Sequence, residues 1–159
     1  VDLLTACDLR YMCRDAFFSI FEINIGMTAD VGTFPRLCKL LPEALVKELA
    51  YTGRRLMAEE ALRFGLVNGV FDDQQAMLKG VMETATVIAA KAPLAIAGSK
   101  RIIHHARDHS VADSLDYIAL WNASHLQHDE IKEAMLANKE DRQADFVDLP
   151  PKRRQMQES

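Results

Sequence analysis

Glu22-Ile-Asn-Ile-Gly-Met-Thr-Ala-Asp30-Val-Gly-Thr33 is the stretch on which the fold turns. It reads as one carboxylate at the end of an apolar strand and a second, eight residues on, at the head of a helix. Loops at strand ends commonly line sites, because a rigid scaffold positions them. Two carboxylates facing one apolar cavity can be pushed to different pKa values, so that one accepts a proton while the other donates one. The same residues have plainer readings. Asp30 suits the cap of its own helix, and Glu22 suits an exposed charge at a strand end.

Upstream, Ala16-Phe17-Phe18-Ser19-Ile20-Phe21 is a run of aromatic and branched residues that favours a strand, and residues 22–25 continue it. Arg14-Asp15 suits a turn, and residues 8–13 alternate as a short strand does. Leu3, Leu4, Ala6 and Cys7 fall at helical spacing, so residues 1–7 read as the tail of a helix. No cap residue precedes that helix, and the expectation is that the chain begins inside a larger domain. A targeting signal would then lie before Val1.

Downstream, the helix begun at residues 30–33 is expected to run to about Leu41. Pro42 opens the next helix, where its missing N–H costs nothing. Its apolar face is Ala44, Leu45, Leu49 and Ala50, and Thr52-Gly53 ends it. Residues 58–64 suit a short helix stopped by Gly65, and residues 66–71 a short strand before the acidic turn Asp72-Asp73. From there the pattern is helical. Met77, Val81, Ala85, Ile88 and Ala92 form a stripe, and Pro93 starts another helix. Ser110 suits the N-cap of a helix carrying Val111, Leu115, Ile118, Asn122 and Leu126. A last helix covers about 129–140, and residues 141–159 read as a loose polar tail. The expected organisation is a mixed α/β part over 1–73 and a helical part over 74–159. Helices whose apolar stripes need partners are commonly oligomerisation elements.

The chain has 159 residues, 49% apolar and 26% charged, which suits a globular protein with a sizeable core. A net charge of −4 argues against nucleic-acid binding, which usually needs a basic stripe. Three cysteines, Cys7, Cys13 and Cys38, are an odd number without a CxxC spacing, which does not suit a disulfide framework and points to a reducing compartment. No apolar run reaches the roughly 20 residues of a membrane span. His105 and His109 can share a helix face, yet no third ligand stands nearby and zinc takes three or four. No metal is expected. No serine sits in a nucleophile elbow, and the glycines form no phosphate loop.

Several segments resemble one family. They are Val1-Asp-Leu-Leu-Thr-Ala-Cys-Asp-Leu-Arg-Tyr11, Asp15-Ala-Phe-Phe18, Gly26-Met-Thr-Ala-Asp-Val-Gly-Thr33, Thr52-Gly-Arg-Arg-Leu-Met-Ala-Glu-Glu-Ala-Leu62 and Gly65-Leu-Val67. Together they are similar to the enoyl-CoA hydratase/isomerase, or crotonase, superfamily. Within it the likeness is greatest to the Δ3,5-Δ2,4-dienoyl-CoA isomerases of fatty-acid β-oxidation. Arg107-Asp-His-Ser-Val111, Ser114-Leu-Asp-Tyr117 and Trp121-Asn122 resemble that group too. The resemblance spans about residues 1–135.

It implies an α/β fold, the last part of a ββα spiral over 1–73, followed by a helical region over 74–159 that builds trimers, often paired into hexamers. It implies an acyl-CoA substrate and no cofactor beyond the coenzyme A of that substrate. Carried over position by position, Asp2 and Glu22 match the superfamily's pair of active-site acids, both usually Glu in the hydratases. Asp30 matches a third acid peculiar to dienoyl-CoA isomerases. Shifting a 3,5-diene to 2,4 moves a proton from C2 to C6, too far apart for one carboxylate to serve both. The resemblance assigns C2 to Glu22, C6 to Asp30 and an orienting or electrostatic role to Asp2. The family's oxyanion-hole donors, and most of its CoA-binding surface, match positions before Asp2, so these residues alone are expected to be inactive. Relatives of this kind work in mitochondria or peroxisomes. Gln157-Glu158-Ser159 is not a Ser-Lys-Leu address, which favours mitochondria. The competing activities are 2-enoyl-CoA hydration and Δ3,Δ2-enoyl-CoA isomerisation. A non-catalytic binding protein of the same fold, or an inactive truncated product, is the other alternative.

Overall fold

Strand-forming residues in the first half are used sparingly, and helices supply most of the framework. The structure is a computed structural model and describes residues 1–150. The chain begins with α1 (Asp2–Thr5), β1 (Tyr11–Cys13), β2 (Phe17–Phe18) and a 3-10 helix (Phe21–Ile25). Next come α2 (Thr33–Leu37), α3 (Glu43–Thr52), β3 (Leu56–Met57), α4 (Ala58–Arg63) and β4 (Gly69–Phe71). The helices α5 (Gln74–Ala89), α6 (Pro93–Ala106), α7 (Val111–His125) and α8 (His128–Glu140) follow. These residues gather into two compact units, 1–83 and 84 onward, divided within α5.

In the first unit β1 runs parallel to β4, with Tyr11 opposite Gly69 and Cys13 opposite Phe71. Arg14 N–H donates to Phe71 O at 2.8 Å, and Asn68 N–H to Arg10 O at 2.7 Å, extending the ladder at both ends. β2 pairs antiparallel with β3, Phe17 against Met57 and Phe18 against Leu56. Met12, Ile20, Leu37, Leu45, Leu49 and Leu66 lie in one core with Leu56, Ala58 and Ala61. The face that α3 buries is Leu45, Val46 and Leu49, whereas Ala44 is exposed. Leu37 is 1% exposed at the C-terminal end of α2, so its side chain cannot be trimmed without leaving a void. Leu37→Ala is expected to cost about 2–5 kcal/mol, read as a lower urea midpoint at unchanged slope.

The strand expected through residues 16–25 is confined to Phe17–Phe18. Residues 21–25 instead form the 3-10 helix, closed by Gly26 in the left-handed region at φ 73°. Glu22 O accepts the Met27 N–H at 3.0 Å and Ile23 O the Gly26 N–H at 3.2 Å. The branched residues lose their strand preference because that preference reflects packing against neighbouring strands. Phe21, Ile23 and Ile25 are exposed, and none of the described strands lies beside them. The helix expected from Asp30 to Leu41 is likewise only Thr33–Leu37, followed by turns.

In the second unit Ser110 caps α7 as expected, and Asp113 completes a capping box with it. Asp113 N–H donates to Ser110 Oγ at 3.2 Å, and Ser110 N–H donates to Asp113 Oδ2 at 3.3 Å. Hydrogen bonds from Ser110 hold the Asp113 carboxyl below its ordinary value. α6 and α7 approach closely where Gly98 meets Trp121, since a Cβ at Gly98 would lie 2.6 Å from the indole Nε1. Ile103, Val111, Leu120 and Met135 remain more than half exposed on α6, α7 and α8. Among the described residues no single helix is long and apolar enough to cross a membrane.

The expected loose tail is, in its first part, tied down. Arg142 forks onto Glu133 at 2.6 and 3.0 Å, and Asp145 N–H donates to the same carboxylate at 2.9 Å. The rest of that segment, from Pro151 through Lys152-Arg153-Arg154, lies outside the described residues. The Arg142 guanidinium, with help from the Asp145 N–H, lowers the Glu133 carboxyl from 4.5 to about 2. A depressed carboxylate stabilises above its unfolded pKa and loses that effect as pH falls through its folded value. The clasp should therefore hold fully above about pH 5 and release towards pH 2. Titration of Glu133 by NMR, with Arg142→Ala returning its midpoint to the usual range, checks this.

Candidate active site

Asp2 sits in the first turn of α1, and its side chain is 31% exposed. Its Oδ1 accepts the backbone N–H of Gly32 at 2.7 Å and pairs with the guanidinium of Arg36. α1 and α2 are thereby joined by one carboxylate. The helix itself is closed locally, with Thr5 Oγ1 donating to Asp2 O at 2.8 Å. Gly32 also has a packing role. A Cβ there would overlap the Arg36 guanidinium, which lies against the glycine.

Asp30 is exposed and stands two residues before Gly32. It does not cap α2: the N-cap is Gly32, and no side chain caps the helix. Glu22 is half-buried on the 3-10 helix rather than at a strand end. That helix is pinned to the end of α3. Gly53 closes α3 at φ 61°, its oxygen accepts Ser19 Oγ–H at 3.1 Å, and Asn24 fills the space a Cβ would need there.

Glu22 and Asp30 thus flank one loop, which is anchored at its Glu22 end by the Gly53 contacts and at its Asp30 end by Asp2. The two acids differ from Asp2 in commitment. Asp2 spends an oxygen on an N–H and a cation. Neither Glu22 nor Asp30 has a side-chain hydrogen bond or ion pair with the described residues. A carboxylate without a fixed partner can take or give a proton to a bound molecule. Arg36 was not picked out by sequence reasoning. Its partner is 34 positions away, so no periodicity shows the pair.

No group of three or more His, Cys, Asp or Glu among the described residues is placed to hold a metal ion. His105 and His109 do lie together, but as stacked rings 3.7 Å apart, with Tyr117 stacked at 4.3 Å on His105. A hollow of about 350 Å³ beside α2 and α3 is lined by Phe34, Cys38, Val46, Lys47 and Tyr51 and contains none of the three acids.

A family model for enoyl-CoA hydratase/isomerase matches residues 1–149. The chain is 46% identical over 148 residues to a mitochondrial Δ(3,5)-Δ(2,4)-dienoyl-CoA isomerase of Homo sapiens, covering 92% of this chain and 45% of that one. It is 42% identical over 149 residues to a peroxisomal Δ(3,5)-Δ(2,4)-dienoyl-CoA isomerase of Arabidopsis thaliana, covering 94% and 54%. The chain spans about half the length of the curated relatives it matches. Among solved structures, an enoyl-CoA hydratase of Mycobacterium marinum superposes with a TM-score of 0.84 at 33% identity, over 91% of this chain and 59% of that one.

Proposed function

Because the chain belongs to the enoyl-CoA hydratase/isomerase family, we propose that the polypeptide carrying it converts 3,5-dienoyl-CoA thioesters to 2,4-dienoyl-CoA thioesters. The observation that carries the reading is Asp30. It is an exposed carboxylate with no capping duty, on a loop held at both ends, at the position that resembles the third acid of dienoyl-CoA isomerases. Glu22 takes the proton from C2. The C–H electrons then form a dienolate whose negative charge rests on the thioester oxygen. The double bonds shift from 3,5 to 2,4 as Asp30, carrying a proton taken from solvent, delivers it at C6, and Glu22 then releases the C2 proton to solvent to complete the cycle. Asp2, held by Gly32 and Arg36, fixes the loop and sets the local field. The N–H donors that receive the thioester oxygen belong, by resemblance, to positions before Asp2.

The similarity to dienoyl-CoA isomerases of mitochondria and peroxisomes supports work in one of those compartments. The exposed apolar residues of α6, α7 and α8 support assembly into trimers or hexamers through the helical part. A second reading, hydration of 2-enoyl-CoA, draws on the hydratase likeness and would use Asp2 and Glu22 without Asp30. The deciding experiment is incubation of the complete polypeptide with a 3,5-dienoyl-CoA. The ultraviolet band of the conjugated 2,4-dienoyl thioester should grow in. Hydration of a 2-enoyl-CoA with no diene isomerisation would select the second reading.

A further inference from the structure

We propose that Arg36 is a positioning residue for the isomerisation, acting through Asp2 on the loop that carries Asp30. The inference rests on the function proposed above but is carried by a separate set of contacts. Arg36 extends from the second half of α2 back along that helix and lies against Gly32, at a place where only a glycine leaves room. There it pairs with Asp2, and the same Asp2 oxygen accepts the Gly32 N–H. Cation, carboxylate and backbone amide form a closed clasp. Both side chains are about two-thirds shielded from water, so the pair is less screened than a surface ion pair. The Arg36 Nε is buried with no hydrogen-bond partner. The contact with Asp2 is made through the terminal Nη2 instead.

The mechanical consequence concerns Asp30. The segment from Asp30 to Gly32 is bend and coil rather than helix, and the Gly32 N–H is the described bond that ties it to α1. Without Arg36, Asp2 keeps the amide but loses the cation that fixes its rotamer. The proton donor then wanders relative to C6. A displacement of about 1 Å can cost about 10²-fold in rate.

The test uses the complete polypeptide and three variants. Arg36→Gln should lower kcat about 10- to 100-fold with KM within about threefold of wild type. Arg36→Lys, which keeps the charge but not the planar fork, should recover part of that loss. Gly32→Ala leaves Arg36 in the chain but puts a methyl where its guanidinium lies, and should reproduce the Arg36→Gln defect. Hydrogen exchange of the Gly32 amide supplies a readout that needs no turnover, and it should accelerate in Arg36→Gln and Gly32→Ala. If Arg36→Gln does not fold, Gly32→Ala and Arg36→Lys decide by the same two readouts. Wild-type kcat and wild-type Gly32 exchange in these variants would overturn the proposal. If the wild-type polypeptide isomerises no diene, the functional reading fails instead, and the exchange comparison alone judges the clasp.

Discussion

Asp30→Asn in the complete polypeptide should abolish diene isomerisation, by about 10²–10⁴ in kcat, while hydration of a 2-enoyl-CoA stays within a few-fold of wild type. An amide cannot deliver the C6 proton. The substitution removes no helix cap and no ion pair, because Asp30 is exposed and α2 is capped at Gly32. Fold and thermal midpoint should therefore be unchanged, and the loss would be chemical. The first half of the reaction should survive. In deuterium oxide the variant should still exchange hydrogen at C2 of the diene through Glu22. Retention of full isomerisation by Asp30→Asn would remove the basis for preferring isomerase over hydratase.

Glu22→Gln has the broader expected effect. Diene isomerisation and any hydration should both fall by about 10²–10⁴, and C2 exchange should stop. The contrast between the two variants separates the roles: Asp30→Asn exchanges at C2 without forming product, and Glu22→Gln does neither. Equal C2 exchange in both would mean that another group takes the proton. Glu22 sits on a 3-10 helix held by Ser19, Asn24 and Gly53 rather than by its own carboxylate, so the amide should leave that frame intact.

The sequence disclosed element types where a local signal existed. Pro42, Gly53, Pro93 and the Ser110–Asp113 box sit at the helix boundaries they suggest, because each acts on its own turn. It misled where tertiary partners decide. Ile23 and Ile25 favour a strand, but no described strand runs beside them. β3 is two residues long, too short to show an alternation, and it exists because β2 is there to pair with it. The three acids were singled out as a set through family resemblance alone. Their environment was not legible. That Asp2 is bound to Gly32 and Arg36, and that Asp30 caps nothing, follows from contacts between residues far apart in the chain.

The strand pairs of the first unit are nested, and that order has a kinetic consequence. β2–β3 lies inside the segment bounded by β1 and β4. Closing a long loop costs entropy that grows with the logarithm of its length. The outer parallel pair, formed alone, must bring residue 11 to residue 69 across the whole intervening chain. Once Phe18 has met Leu56, most of that chain is already gathered, and the outer pair closes across two short connections. The cheapest order is therefore inner pair first, then outer. Chain growing from a ribosome can begin this sequence only after Leu56 has emerged, so the Gly53 anchor of the acid-bearing loop waits for residues well beyond the loop, whereas the Asp2 anchor needs only Gly32 and Arg36.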